Sequence, residues 1–178
     1  MWYVVGLGNP GEEYKETRHN TGRIVLDIFA RASEGKLGKE KVTLLAPDTF
    51  MNKSGEALRG KITSKKAAER LVVIHDDLDI PFGSYKISFN KSSGGHRGVE
   101  SIIKAIKTQA FVRVRVGIAS SAAVVKKSQD DKTVEKVILG KFTPDQMTAL
   151  KKLAKKIAEG IIVLITEGRE KAMSQYHA

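Results

Sequence analysis

The chain has 178 residues, 41% of them hydrophobic, enough for one domain with its own core. It contains no cysteine, which excludes disulfides, cysteine-ligated zinc and a thiol nucleophile. The net charge of +11 points to a polyanionic partner, nucleic acid first, and an aromatic content of 6% favours contacts to phosphate and shape over stacked bases.

Taken in chain order, an apolar run over 2–8 reads as a strand, and Gly6, Gly8, Asn9, Pro10 and Gly11 turn the chain at its carboxyl end. Thr17, Arg18, His19 and Asn20 lead into a helix over 21–32. Further strands are expected at 42–46, 71–75, 84–89 and 112–118, with helices at 54–68 and 97–107. Leu71–His75 is mostly β-branched with little alternation, as in a strand covered on both faces. Residues 119–142 are polar and lysine-rich and read as a lid-like segment. Thr143, Pro144 and Gln146 then form a capping signature for a C-terminal helix over 143–167, stopped by Gly168. Its stripe Leu150, Leu153, Ile157, Ile161 and Leu164 has the helical period of a core face. The alternation predicts an α/β fold: a single domain over 1–178, with a twisted, mixed but largely parallel sheet and helices on both faces. The longest apolar run, Ile161 to Ile165, is far too short to cross a bilayer. No signal-peptide pattern opens the chain, so a cytoplasmic protein without a membrane partner is expected.

Two phosphate-binding motifs are imitated and rejected. Gly6-x-Gly8-x-x-Gly11 spells the dinucleotide fingerprint, but Glu12 and Glu13 stand where the pyrophosphate would sit, and the acid at the right distance, Asp27, lies in a predicted helix. A nucleotide-dependent oxidoreductase is therefore not supported. Gly55-x-x-x-x-Gly60-Lys61 approaches a P-loop, but Ile62 replaces the residue that must ligate magnesium.

Four clusters carry chemistry: Asn9 with His19; Met51 to Gly55; His75 to Asp79; and Ser92 to Gly98. Each follows a strand, so all four can share the carboxyl edge of the sheet, where α/β proteins place ligands. A histidine base needs its second ring nitrogen held by a carboxylate, which fixes the tautomer and stabilises the imidazolium. His19 with Asp76 supplies that pair. With no Gly-x-Ser-x-Gly elbow and no cysteine, the base activates water directly, which suits ester hydrolysis. Asn9 and Asn52 are candidates for orienting the water and donating to the oxyanion, although each taken singly reads as a turn cap. His75 faces the core, the ligand spacings of a metal site are missing, and His96 and His177 have bland readings, a bond to local backbone and a place in the tail. No metal and no cofactor are expected.

The string Gly-Leu-Gly-Asn-Pro-Gly-x-x-Tyr-x-x-Thr-Arg-His-Asn-x-Gly over 6–22 resembles the N-terminal signature of bacterial-type peptidyl-tRNA hydrolases. Phe50-Met51-Asn52-x-Ser54-Gly55, His75-Asp76-Asp77-Leu78-Asp79, Gly94-Gly95-His96-x-Gly98 and Arg113-Val-Arg115-Val-Gly117-Ile118 match the later motifs in order. The resemblance covers nearly the whole chain. It implies that family's fold and its reaction, hydrolysis of the ester joining a peptide to the terminal ribose of tRNA. It implies His19 as base, Asp76 as its orienting carboxylate, Asn9 and Asn52 as positioning amides, and Tyr14 and Met51 lining the cleft. It makes Lys86 and Arg115 candidates for gripping a tRNA phosphate, and it implies a monomer that needs no metal. The alternative is a non-catalytic RNA-binding protein on the same fold. Arg97 departs from the family's asparagine, and we expect it to lean toward phosphate. Residues 33–42 are shorter than usual, which predicts a trimmed sheet edge.

Overall fold

The computed structural model describes residues 1–120 and 130–177. Its elements are β1 (Trp2–Gly6), α1 (Thr21–Ala32), β2 (Val42–Leu45), α2 (Lys65–Ala68), β3 (Leu71–Pro81), β4 (Tyr85–Phe89), α3 (Arg97–Ile106), β5 (Val112–Ala119), α4 (Asp131–Ile138), α5 (Pro144–Glu167) and α6 (Arg169–Gln175). Short 3-10 turns cover Glu12–Tyr14, Arg18–Asn20 and Met51–Leu58. The sheet runs β2-β1-β3-β5-β4, with only β4 antiparallel, so the expected mixed, largely parallel sheet is found.

Alternate residues of each strand feed two cores, because successive side chains point to opposite faces. Val4, Val72, Ile74, Val112, Val114 and Val116 pack against Val25, Leu26 and Phe29 of α1 and the buried stripe of α5. Val5, Leu71 and Val73 pack on the other side against Leu58, Ala68, Val99 and Ile102. Helices thus cover both faces. α5 begins as the sequence predicts: the Thr143 hydroxyl accepts from the Gln146 amide, and the Gln146 carboxamide accepts from the Thr143 amide.

One predicted helix is corrected. Residues 54–68 are not continuous: a 3-10 turn ends at Leu58, Gly60 takes φ 82°, and Ser64 caps the separate, four-residue α2. The apolar positions Leu58 and Ile62 match a helical period, but the chain must also bring Gly55 against α3, where a Cβ would stand 2.2 Å from the Ser101 carbonyl oxygen. A tighter turn meets that demand. Strand β3 is also longer than predicted, so His75 to Asp79 lie on the strand itself, with an irregular register between Asp77 and Pro81. Within the lid-like stretch 119–142, residues 131–138 form α4, which the sequence reading missed, and 121–129 lie outside the described residues.

The start of α1 presses on the end of β1. A Cβ on Gly22 would lie 2.2 Å from the Ile74 carbonyl and 2.5 Å from the Leu7 amide nitrogen, so only glycine allows this approach. The turn before it, carrying His19, is thereby set against the carboxyl end of β1 and the middle of β3. The edge strand β2 has four residues, in keeping with a trimmed edge.

Candidate active site

Loop 7–20 is fixed by a reciprocal asparagine pair. The Asn9 amide donates to Asn20 Oδ1 and Asn20 Nδ2 donates to the Asn9 carbonyl, both at 2.9 Å. Asn9 Oδ1 in turn accepts from the Met51 amide at 2.8 Å. That bond fixes the carboxamide, so its Nδ2 is the end left for another partner. Asn20 was part of the recognised string, but its role could not be read there, because it depends on two turns meeting.

His19 follows in the same loop, 6% exposed, and its Nδ1 lies 2.9 and 3.0 Å from the two Asp76 carboxylate oxygens. A carboxylate can only accept, so Nδ1 carries the proton and Nε2 presents its lone pair. Among the described residues Nε2 has no hydrogen-bond partner. His19 and Asp76, predicted as a pair, are thus brought together.

Asp76 has a second partner, which the sequence reading assigned a blander place. His96 Nε2 lies 2.9 Å from Asp76 Oδ1, while His96 Nδ1 accepts from the Gly98 and Val99 amides at 3.2 and 3.3 Å. His96 does bond to local backbone, as expected, by capping α3. The same two contacts also force its tautomer: Nδ1 bare, Nε2 protonated and donating. Burial alone would raise the Asp76 carboxyl, but the charge and hydrogen bonds of His19 and then His96 bring it far below the usual carboxylate range. His19, Asp76 and His96 have ligand atoms close enough together for a metal ion. In this arrangement both ring nitrogens facing the carboxylate are engaged as donors to it, so a metal there would have to displace those protons.

His75 is buried as predicted. Its Nδ1 donates to the Asp76 carbonyl at 2.7 Å, its Nε2 has no partner among the described residues, and its ring centroid lies 4.6 Å from that of His96. Burial, then the nearby His96 and Arg113, hold the imidazole well below its ordinary value.

A cavity of about 360 Å3 opens beside His19, Asp76 and His96. It is lined as well by Asp131, Val134, Glu135 and Ile138 of α4 and by Asp77 and Asp79. Asp79, Asp131 and Glu135 make no ion pair among the described residues, so this lining is acidic. α4 is tied to the loop that carries His19: the Arg18 amide donates to the Gly140 carbonyl, the Phe142 amide to the Glu16 carbonyl, and the Arg18 guanidinium to the Val137 carbonyl. Arg97 also borders the cavity, is exposed, and continues into a second groove of about 390 Å3 that includes Asn52, Lys53, Arg59 and Lys104.

The remaining predicted residues are dispersed. Asn52 lines the second groove and not the His19 cavity. Met51 is buried, holds Asn9 through its amide, and packs on the first turn of α3 at Gly98. Tyr14 stands edge-on to the exposed ring of Phe50 at 6.3 Å. Lys86 and Arg115 are cross-strand neighbours on β4 and β5. Lys86 is exposed, whereas Arg115 donates to Asp77 Oδ2 at 2.8 Å.

A histidine that lines a cavity, with one ring nitrogen unpartnered among the described residues and the other locked on a buried carboxylate, is an arrangement suited to a hydrolase that works through water. The family model described as peptidyl-tRNA hydrolase matches residues 3–178, and the chain belongs to that family, whose members hydrolyse peptidyl-tRNA. Peptidyl-tRNA hydrolases from Thermodesulfovibrio yellowstonii and Clostridium botulinum strain 657 are each 38% identical to it, over 99% of this chain and 99% and 97% of their own lengths. Among solved structures, peptidyl-tRNA hydrolase from Acinetobacter baumannii superposes with a TM-score of 0.82 at 26% identity, covering 100% of this chain and 95% of that one. A peptidyl-tRNA hydrolase in complex with n-propanol superposes with a TM-score of 0.84 at 27% identity, with the same coverage.

Proposed function

We propose that the hydrolysis of peptidyl-tRNA proceeds here through a single water molecule activated by His19. Nε2 takes a proton from that water as its oxygen attacks the ester carbonyl carbon. The tetrahedral intermediate then collapses, and the imidazolium returns the proton to the departing ribose oxygen. The products are the peptide acid, which loses its remaining proton to solvent to become a carboxylate, and tRNA with a free hydroxyl. Asp76 keeps Nδ1 protonated throughout and stabilises the positive ring. Asn9 Nδ2 donates to the oxyanion, its orientation dictated by the Met51 amide. Tyr14 and Met51 shape the rim of the cleft, while Asn52 and Arg97 meet the substrate along the second groove. Lys86 and Arg115 take a tRNA phosphate on the β4–β5 face. Residues 1–178 act as one catalytic domain, as a cytoplasmic monomer without a metal or cofactor. The complete His19–Asp76 pair gives a purely RNA-binding role nothing to explain it.

The observation that carries this reading is the 2.9 Å contact between His19 Nδ1 and Asp76 Oδ2, which leaves Nε2 free. The test is release of N-acetyl amino acid from N-acetyl-aminoacyl-tRNA. His19→Ala is expected to lower kcat by roughly 10²- to 10⁴-fold, the usual worth of a general base, while tRNA binding persists. Wild-type turnover in that variant would sink the assignment.

A further inference from the structure

Arg113 stands apart from the other arginines because it is only 4% exposed. A buried guanidinium is costly to desolvate and is ordinarily matched by a carboxylate. Arg113 makes no ion pair among the described residues. Instead its Nη2 donates to the Ser92 carbonyl at 2.7 Å and its Nη1 to the Ser93 carbonyl at 3.4 Å. Burial, followed by the neighbouring Arg115, weakens its hold on its proton, and Asp77 works in the opposite direction.

Ser93 is where the loop meets the hydrolytic centre. Its carbonyl also accepts the His96 amide at 3.2 Å, and its hydroxyl accepts the Gly95 amide at 3.3 Å. Between them Gly94 and Gly95 take φ 60° and 86°, a turn made of the two residues that lose most freedom on being fixed. His96 emerges from that turn with Nδ1 on the start of α3 and Nε2 on Asp76. A continuous hydrogen-bonded path therefore runs from the guanidinium through Ser93 and His96 to Asp76 and His19.

We infer that Arg113 is a positioning residue for hydrolysis: its guanidinium anchors the Ser92–Gly95 turn so that His96 holds Asp76 in place against His19. The inference rests on His19 being the base. It sets Arg113 apart from Lys86 and Arg115 on the same face of the sheet. Those two reach solvent, whereas Arg113 forms no part of either cavity wall and cannot meet a phosphate.

The test combines kinetics on N-acetyl-aminoacyl-tRNA with 15N spectra of the histidine rings, for Arg113→Gln, Arg113→Lys and Gly95→Ala. Replacing a buried charge by a neutral side chain is compatible with folding, and melting curves establish that each variant is folded at the assay temperature. Arg113→Gln is expected to lower kcat roughly 10- to 100-fold, the worth of a hydrogen bond to a charged group, and to leave KM within about twofold. The His96 signature of bare Nδ1 and protonated Nε2 should be lost with it. Arg113→Lys, which can still donate to the same carbonyls, should recover part of both. Should Arg113→Gln not fold, Gly95→Ala disturbs the same turn from outside the core and should give the same kcat loss and altered signature.

A rise in KM with kcat kept would overturn the inference in favour of substrate binding. Loss of kcat with the His96 signature intact would overturn it as well, as would wild-type behaviour of Arg113→Gln or, should that variant not fold, of Gly95→Ala. If His19→Ala stayed active while Arg113→Gln still altered His96, the base assignment would fall and the positioning of His96 would stand.

Discussion

The two nitrogens of His96 serve different elements, one capping α3 and the other holding Asp76, and a single substitution can separate them. Asparagine is among the best helix caps, but its short side chain cannot also reach Asp76. His96→Asn is therefore expected to keep the cap, to cost roughly 1–3 kcal/mol of unfolding free energy by leaving the buried Asp76 carboxylate one donor short, and to lower kcat roughly 10- to 100-fold. Chemical denaturation and steady-state kinetics on one preparation check both halves. Loss of stability with kcat preserved would make His96 a cap and nothing more. His19 and Asp76 are legible in the sequence as a candidate pair, because a general base would need that pairing of residue types, and the structure brings the two into contact. The sequence cannot give the contact of His96 with Asp76, which depends on the positive φ of Gly94 and Gly95 aiming the ring.

Among the elements, β3 joins the site to the stability of the fold. It carries His75 and Asp76 side by side, one imidazole kept neutral and one carboxyl kept ionised. Below about pH 6.5 the unfolded chain takes up a proton at His75 that the folded protein refuses. The stability contributed at this position is thus complete above about pH 6.5 and drains away as pH falls toward the depressed folded value. At pH 5 the loss reaches at most about 2 kcal/mol. Asp76 acts in the same sense at lower pH, its contribution present above about 3.9 and lost in stronger acid. His75→Asn is expected to narrow the gap between melting temperatures at pH 7.5 and pH 5. The groups facing His75 are His96, Arg113 and Asp76, and an unchanged gap would transfer the effect to them. The strands and the long helix α5 are legible because periodicity and capping mark them locally. α4 is harder to read, since none of its residues is buried and its apolar face is only Val134, Val137 and Ile138, two turns long within a lysine-rich stretch. The 3-10 turn at 51–58 escaped because its apolar spacing imitates a helix and only its contact with Ser101 distinguishes it.

For the whole molecule, the charge of +11 makes salt a probe of how substrate is held. Each phosphate neutralised by a cation contributes close to one unit to the slope of log affinity against log salt, about 0.7 to 0.9. Lys86→Ala should raise KM several-fold and reduce that slope by roughly one unit. Lys86 is the cleaner choice because Arg115 is also bonded to Asp77, so its removal would unmask a carboxylate. A slope unaltered by Lys86→Ala would remove this lysine from the tRNA footprint.

The acidic lining of the cavity treats reactant and product unequally. The scissile ester is neutral, so Asp79, Asp131 and Glu135 offer it no repulsion as it settles beside His19. Cleavage creates a new carboxylate at that same spot, where like charges now oppose it. Even with Arg97 at the border of the same cavity, three carboxylates without an ion pair among the described residues should disfavour a bound acid, so free N-acetyl amino acid is expected to inhibit turnover only weakly.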